Sequence, residues 1–329
     1  MAAEPPAPPF PIVVGCGGSG TTLLHAMLDR HPDLAVSLLG QFPVALWPRR
    51  NRYLVNERFD LSRLAQDLVA SGPFKEVGPD PGWLRDRLSG TEPLSYAQAM
   101  RRVFALYAEA RGKSRYGHKS PGLVRHLDFL AGLFDEARFV HIIRDGRDVA
   151  LSLLDRPWGP VRIAEGARYW ATRVDRGMSS GRKLGPSRYL EVRYEDLVAD
   201  PEAALNGICR FIELDYRPEM LTYHQRGIDW MPLQLRVQHT HLLEPPRVGI
   251  RDWRKDMAGK DVAMFEAVAG DTLKALGYER RFDPIPTSVA MRVAVEEGRT
   301  RARWLAQRAR RLARRVGNPP AGGGARGAA

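Results

Sequence analysis

Residues 12–24 read IVVGCGGSGTTLL, an apolar run that breaks into a glycine-rich turn and resumes as a segment of helical period. No other feature narrows the possible folds as much. Gly15, Gly17, Gly18 and Gly20 permit positive φ and close backbone approach, and the unpaired amides that open a following helix complete an anion cradle. Taken alone, the turn also fits a strand-to-helix connection with no ligand. It does argue against one class. A nucleotide triphosphatase loop places lysine directly after its last glycine, and here that position is Thr21, so nothing on the loop holds β- and γ-phosphates.

Periodicity predicts β-strands at Ile12 to Gly15, Leu34 to Val36, Arg115 to Lys119, Phe139 to Ile143 and Tyr189 to Val192. Helical patterns fall at Thr21 to Arg30, Leu61 to Ala70, Tyr96 to Arg111 and Leu123 to Phe134, then at Asp148 to Leu154, Ala164 to Leu184 and Pro201 to Ile212. Alternation of this kind predicts an α/β fold, three layers with a mostly parallel central sheet, P-loop-like, with ligands at the carboxyl ends of the strands. Segments 41–56, 71–82 and 227–252 lack a clean period and read as loops over a cleft. One domain over residues 10–284 is expected, after a flexible leader at 1–9.

The formal charge of +12 looks like a nucleic-acid signature until it is mapped. Residues 289–329 hold ten arginines against two glutamates, which leaves +4 for the rest, so no nucleic-acid partner is expected. Within this tail, residues 285–316 read as a basic amphipathic helix with Leu305, Ala309, Leu312 and Val316 on one face. Such a helix suits peripheral contact with an acidic membrane or simple solvation. Residues 317–329 are expected to be disordered. No run reaches the ~20 apolar residues of a membrane span, and with only Cys16 and Cys209 present a reducing, cytoplasmic setting is expected.

FVHIIRDGRDVALSLL, residues 139–154, repeats the logic of the first turn with a buried strand, a charged turn and a helix. Arg144 stands at the strand exit, where its fork can grip a phosphate, and Ser152 lies two helical turns further on. The alternative is a salt network among Arg144, Asp145, Arg147 and Asp148.

Together these segments resemble the sulfotransferase family that uses 3′-phosphoadenosine 5′-phosphosulfate, PAPS, as sulfuryl donor, and the resemblance runs in order from about residue 12 to 278. It implies that Gly17, Gly18 and Ser19-Gly20-Thr21-Thr22 wrap the 5′-phosphosulfate and that Arg144 and Ser152 take the 3′-phosphate. It further implies that Tyr194, in LEVRYEDL, lies near the adenine. RVGIRDW, with Arg247 and Gly249, would close over the 3′-phosphate, and Lys119 in GHKSP would reach the sulfuryl group. No metal is required.

Two departures from the family pattern bear on catalysis. Gly18 stands where the family usually carries Arg or Lys, and no carboxylate occurs between Asp33 and Glu57, where related enzymes often place a glutamate. His118 is therefore a candidate base, provided the strand ends so that it and Lys119 share a side. His25, Glu76 and Asp80 are further candidates, and His31 is expected to shape the turn before the second strand. The expected function is transfer of a sulfuryl group to a hydroxyl of a small molecule, lipid or glycan. A PAPS-binding protein without turnover is the alternative, and a P-loop kinase a more distant one. Four tryptophans, Trp47, Trp83, Trp158 and Trp230, lie in the irregular loops and fit either core packing or stacking against an acceptor.

Overall fold

The computed structural model describes residues 7–295 and 298. Five strands form a wholly parallel sheet: β1 (Phe10–Gly15), β2 (Leu34–Ser37), β3 (Arg115–Lys119), β4 (Ala137–Ile143) and β5 (Tyr189–Arg193). Their order across the sheet is β2-β3-β1-β4-β5. All six residues of β1 are buried, as a central strand covered on both faces requires. The chain leaves β1 toward β2 on one side and later builds β4 and β5 on the other. The order therefore reverses beside β1, where a crevice opens at the carboxyl ends of the strands.

Helices complete the three layers: α1 (Thr21–Leu28), α2 (Leu61–Ala70), α3 (Tyr96–Glu109), α4 (Leu127–Leu133), α5 (Gly146–Leu154), α6 (Ile163–Leu184), α7 (Pro201–Phe211) and α8 (Gly259–Ala275). Strand alternation sorts the core. Ile12 and Val14 join a cluster with Leu61 of α2 and Phe104 of α3, while Val13 joins one with Leu24 of α1 and Ile208 of α7. A third cluster gathers Val149 of α5, Trp170 of α6 and Phe265 of α8. Local signals set several helix starts. Ser95 and Gln98 form a reciprocal capping box on α3, and Asp60 and Asp200 cap α2 and α7.

The expected α/β class and all five expected strands are present. Two details differ. The pattern at 123–134 divides into a 3-10 turn, Pro121–His126, and α4. Short helices, Phe42–Ala45, Trp47–Tyr53 and Gly72–Val77, occupy much of 41–56 and 71–82, and a small antiparallel sheet of Leu54–Val55, Arg58–Asp60 and Thr91–Glu92 begins in the first of these segments. Residues 287–295 are helical, and the remainder of the expected basic helix and tail lies outside the described residues. Among the described residues, no helix is long and apolar enough to cross a membrane.

Candidate active site

The first strand exit is built around two left-handed glycines. Gly18 and Gly20 have φ of 90° and 91°, and Gly20 is the N-cap of α1, supplying no side chain of its own. The first amides of α1 have no intrahelical acceptor and are offered to a guest. Ser19 between them is fully buried and its Oγ has no hydrogen-bond partner.

At the second exit the structure divides the arginines that the sequence left together. Arg147 is consumed internally: it donates to Asp145 at 2.8 and 3.0 Å and to Glu266 of α8 at 2.7 Å, with its guanidinium 3.6 Å from the Trp253 ring centre. Arg144 is not consumed. Its Nε is buried without a partner, its nearest carboxylate, Asp148, is 3.6 Å away, and it lies 4.4 Å over the Tyr194 ring. Burial raises the Asp148 carboxyl to about 6 against the pull of Arg144, so this neighbour is a reluctant counterion. Arg144 is left to seek another anion.

The two exits face one cavity of about 360 Å3. Gly18, Gly20, Thr21 and Thr22 line it from the first, and Arg144, Ser152 and Tyr194 from the second side of the sheet. A Cβ on Gly20 would stand 2.4 Å from Tyr194 Cδ2, and one on Gly18 would stand 3.4 Å from Ser152 Oγ. Bare backbone is what lets the walls meet.

Other expected residues fall elsewhere. Gly17 does not line the cavity and instead packs beneath Trp158, whose Cη2 would be 3.3 Å from an added Cβ. Arg247 is on the surface in an ion pair with Glu244, and Gly249, at φ 81°, is also outside the lining. Their segment does reach the cavity, but through Ile250 and Arg251. The Arg144 guanidinium donates to the Arg251 carbonyl at 3.5 Å. Of the four loop tryptophans, Trp47 and Trp83 pack on the first core cluster and Trp158 is 58% exposed.

Several lining residues escaped the sequence reading. Asp155 and Arg156 follow Ser152 by three and four positions, so helical spacing carried a signal for them. His239 and His241 come from a 3-10 segment, Val237–Leu243, with no readable period. His239 Nδ1 is buried without a partner, and burial, with Arg156 and Lys119 nearby, lowers the ring to about 3.

Lys119 and His118 part company because β3 stays extended through both. The Lys119 ammonium donates at 3.1 Å to Oγ1 of the cavity-lining Thr22, though neither Lys119 nor Ser19 lines the cavity itself, and burial lowers the Lys119 pKa to about 8. His118 points to the opposite face, among Phe42 and Phe104. Its Nε2 donates to the Gly40 carbonyl at 2.8 Å, which leaves Nδ1 to accept from the Ser37 hydroxyl at 2.7 Å. With both nitrogens engaged and burial lowering it to about 4, His118 does not serve as the base expected of it. His31 bonds to the Asp33 amide and Asp215 carbonyl, holding the turn before β2. Asp80 caps a short helix through the Trp83 amide.

An anion cradle and an arginine at adjacent strand exits of a wholly parallel sheet define a P-loop-like α/β protein. A sequence profile of the sulfotransferase family matches residues 9–218, and the chain belongs to that family. The protein-tyrosine sulfotransferase of Drosophila melanogaster is 24% identical over 286 residues, 84% of this chain and 53% of the relative, so the match spans about half that relative's length. The omega-hydroxy-beta-dihydromenaquinone-9 sulfotransferase Stf3 of Mycobacterium tuberculosis (strain CDC 1551 / Oshkosh) is 31% identical over 144 residues, 38% of this chain and 37% of that protein. The solved sulfotransferase domain of the Synechococcus PCC 7002 olefin synthase superposes with a TM-score of 0.56 at 22% identity, covering 85% of this chain and 98% of that domain. That likeness shows a shared fold.

Proposed function

We propose that the chain transfers a sulfuryl group from PAPS to a hydroxyl of a small-molecule or glycan acceptor, releasing adenosine 3′,5′-bisphosphate. One observation carries the reading: Thr22 and Arg144, from separate strand exits, line the same cavity of about 360 Å3. The residues fit the donor. The buried, unpartnered Ser19 Oγ and Arg144 Nε are polar groups lacking the anionic partners that such a donor brings. The α1 amides with Ser19, Thr21 and Thr22 hold the 5′-phosphosulfate, Arg144 and Ser152 hold the 3′-phosphate, and Tyr194 flanks the base. Lys119, steadied by Thr22, places a compact cation by the sulfuryl oxygens as charge develops in the in-line transfer.

Calorimetry with adenosine 3′,5′-bisphosphate tests this reading. One-to-one binding is expected, and no heat at millimolar ligand removes the donor assignment. A second reading, binding without turnover, is favoured by Gly18, which leaves no side chain where the family resemblance expects a cation. It predicts bisphosphate binding with no sulfate transfer. A cytoplasmic setting belongs to the proposal and draws support from Cys16 and Cys209, both buried and unpaired.

A further inference from the structure

Eleven large apolar side chains are exposed among the described residues, and seven of them fall in two short segments: Trp158 and Val161 just after α5, and five between Leu233 and Ile250. Scattered singly, such residues mean little; gathered at one place they mark a contact surface. The fold gathers them at the mouth of the cavity assigned to the donor. Val237 and Ile250 line that cavity, as do Asp155 and Arg156, which precede Trp158 by three and two positions. Arg156 donates to the Gln238 side chain and Arg251 pairs with Asp155, so the two segments meet across the opening. Around it Val161, Val237 and Val248 are 82%, 83% and 71% exposed.

Charge near this rim has a second source. Segments 155–162 and 227–252 are themselves nearly balanced, with five arginines against four carboxylates. Residues 289–329, by contrast, carry ten arginines against two glutamates. Phe282, five residues before the helix at 287–295, packs on the third core cluster. That cluster also holds Leu153, next to Ser152, and Trp253, two residues after Arg251, so the basic segment sets out from the core that underlies the mouth. Where that helix is described it exposes Met291 and Val295, one turn apart.

We propose that the cavity mouth docks on the surface of an anionic phospholipid bilayer and that the acceptor is an amphiphilic alcohol presented from that surface. The acceptor half of the proposal rests on the donor reading above. Exposed aliphatic side chains and a tryptophan, carried on loops rather than sunk in a groove, suit insertion among lipid headgroups better than the shape-matched core of a protein interface. The arginines of 289–329 attract acidic lipid over a distance, and the rim adds apolar burial on contact; either source alone holds weakly. An acceptor drawn from water would need no such rim. In the transfer, the alcohol oxygen bonds to sulfur and its proton passes to water at the mouth. The sulfur–oxygen bond to the 5′-phosphate breaks, and its electron pair leaves on adenosine 3′,5′-bisphosphate.

The test compares the full chain with V161D/V248D. Both positions are exposed and neither lines the donor cavity, so the variant is expected to fold and to keep the donor site. Flotation with vesicles of phosphatidylglycerol and phosphatidylcholine should show the full chain binding at least about tenfold more tightly than V161D/V248D, and about tenfold more tightly than it binds phosphatidylcholine alone. No flotation, equal affinity for the two lipid compositions, or equal affinity of the two proteins overturns the docking. Calorimetry with adenosine 3′,5′-bisphosphate, expected to agree within about threefold between the proteins, keeps the two readings apart: failure of the full chain to bind overturns the donor reading and leaves the flotation result to judge the docking. Labelled PAPS is then supplied with 1-dodecanol in the anionic vesicles, with glucose in solution, and with an acidic tyrosine-containing peptide. Label on dodecanol, about tenfold slower with V161D/V248D, is the expected result. Label on glucose or the peptide alone, or on no acceptor, overturns the acceptor class, and label on dodecanol at equal rates for both proteins overturns the part given to the rim.

Discussion

Lys119 Nζ donates to Thr22 Oγ1 over 3.1 Å, tying the last residue of β3 to the first turn of α1. Val13 of β1 pairs with Lys119 in the parallel register, so the glycine turn and the lysine leave adjacent strands at one level. A hydroxyl of the cradle and the ammonium expected at the sulfuryl group are thereby positioned before any ligand arrives.

The depressed Lys119 pKa, about 8 through burial, sets a pH limit. Below it the ammonium is charged and bears its desolvation cost; above it the proton leaves, which relieves that cost but removes the cation. For the free enzyme, kcat/KM for PAPS should be flat from pH 6.5 to 7.5 and fall about tenfold per unit above about 8. Lys119→Met should lower the rate throughout and abolish this limb. A limb that persists in the variant assigns it to another group.

Arg144→Ala should weaken adenosine 3′,5′-bisphosphate binding by about 1.5–3 kcal/mol, the range for hydrogen bonds to charged groups. Arg247→Ala should change it by no more than about 1 kcal/mol, because that side chain is spent on a surface pair with Glu244. Calorimetry under identical salt separates the two, and equal losses would return Arg247 to the site.

Gly20→Ala introduces strain twice over, at φ 91° and through a Cβ 2.4 Å from Tyr194 Cδ2. A stability loss of about 1–3 kcal/mol is expected, with weaker bisphosphate binding as Tyr194 is displaced. Thermal unfolding with and without ligand reads both effects. An alanine accepted without change in either would contradict the close approach.

Glu266→Ala removes one of the two carboxylates that hold a fully buried guanidinium and, with Asp145 still paired, should cost about 1–3 kcal/mol. Glu266 also accepts from the Arg281 and Phe282 amides at 2.9 and 2.8 Å, so those donors are orphaned too. Urea denaturation measures the loss, and a shift below about 1 kcal/mol would show that Arg147 finds other company.

Much of this site was legible because strand, turn and helix are written consecutively at both exits, where local period and punctuation suffice. What was not legible depends on distant partners. Only Glu266, 119 residues beyond Arg147, decides which arginine of RDGRD stays available. The same glutamate interrupts the apolar face of α8, which hid that helix. Alternation already implied that His118 and Lys119 face apart; that Lys119 is the one that reaches Thr22 follows from the side on which α1 packs.

The cluster of Asp145, Arg147 and Glu266 joins the RDGRD turn to the final helix of the sheet domain, and Trp253 Nε1 reaches the same Asp145 at 3.1 Å. Heat tolerance and the shape of the turn that carries Arg144 are consequently inherited through the same few atoms. A variant selected for survival at higher temperature by changes in α8 would carry an altered wall beside Arg144, although no residue of that helix lines the cavity.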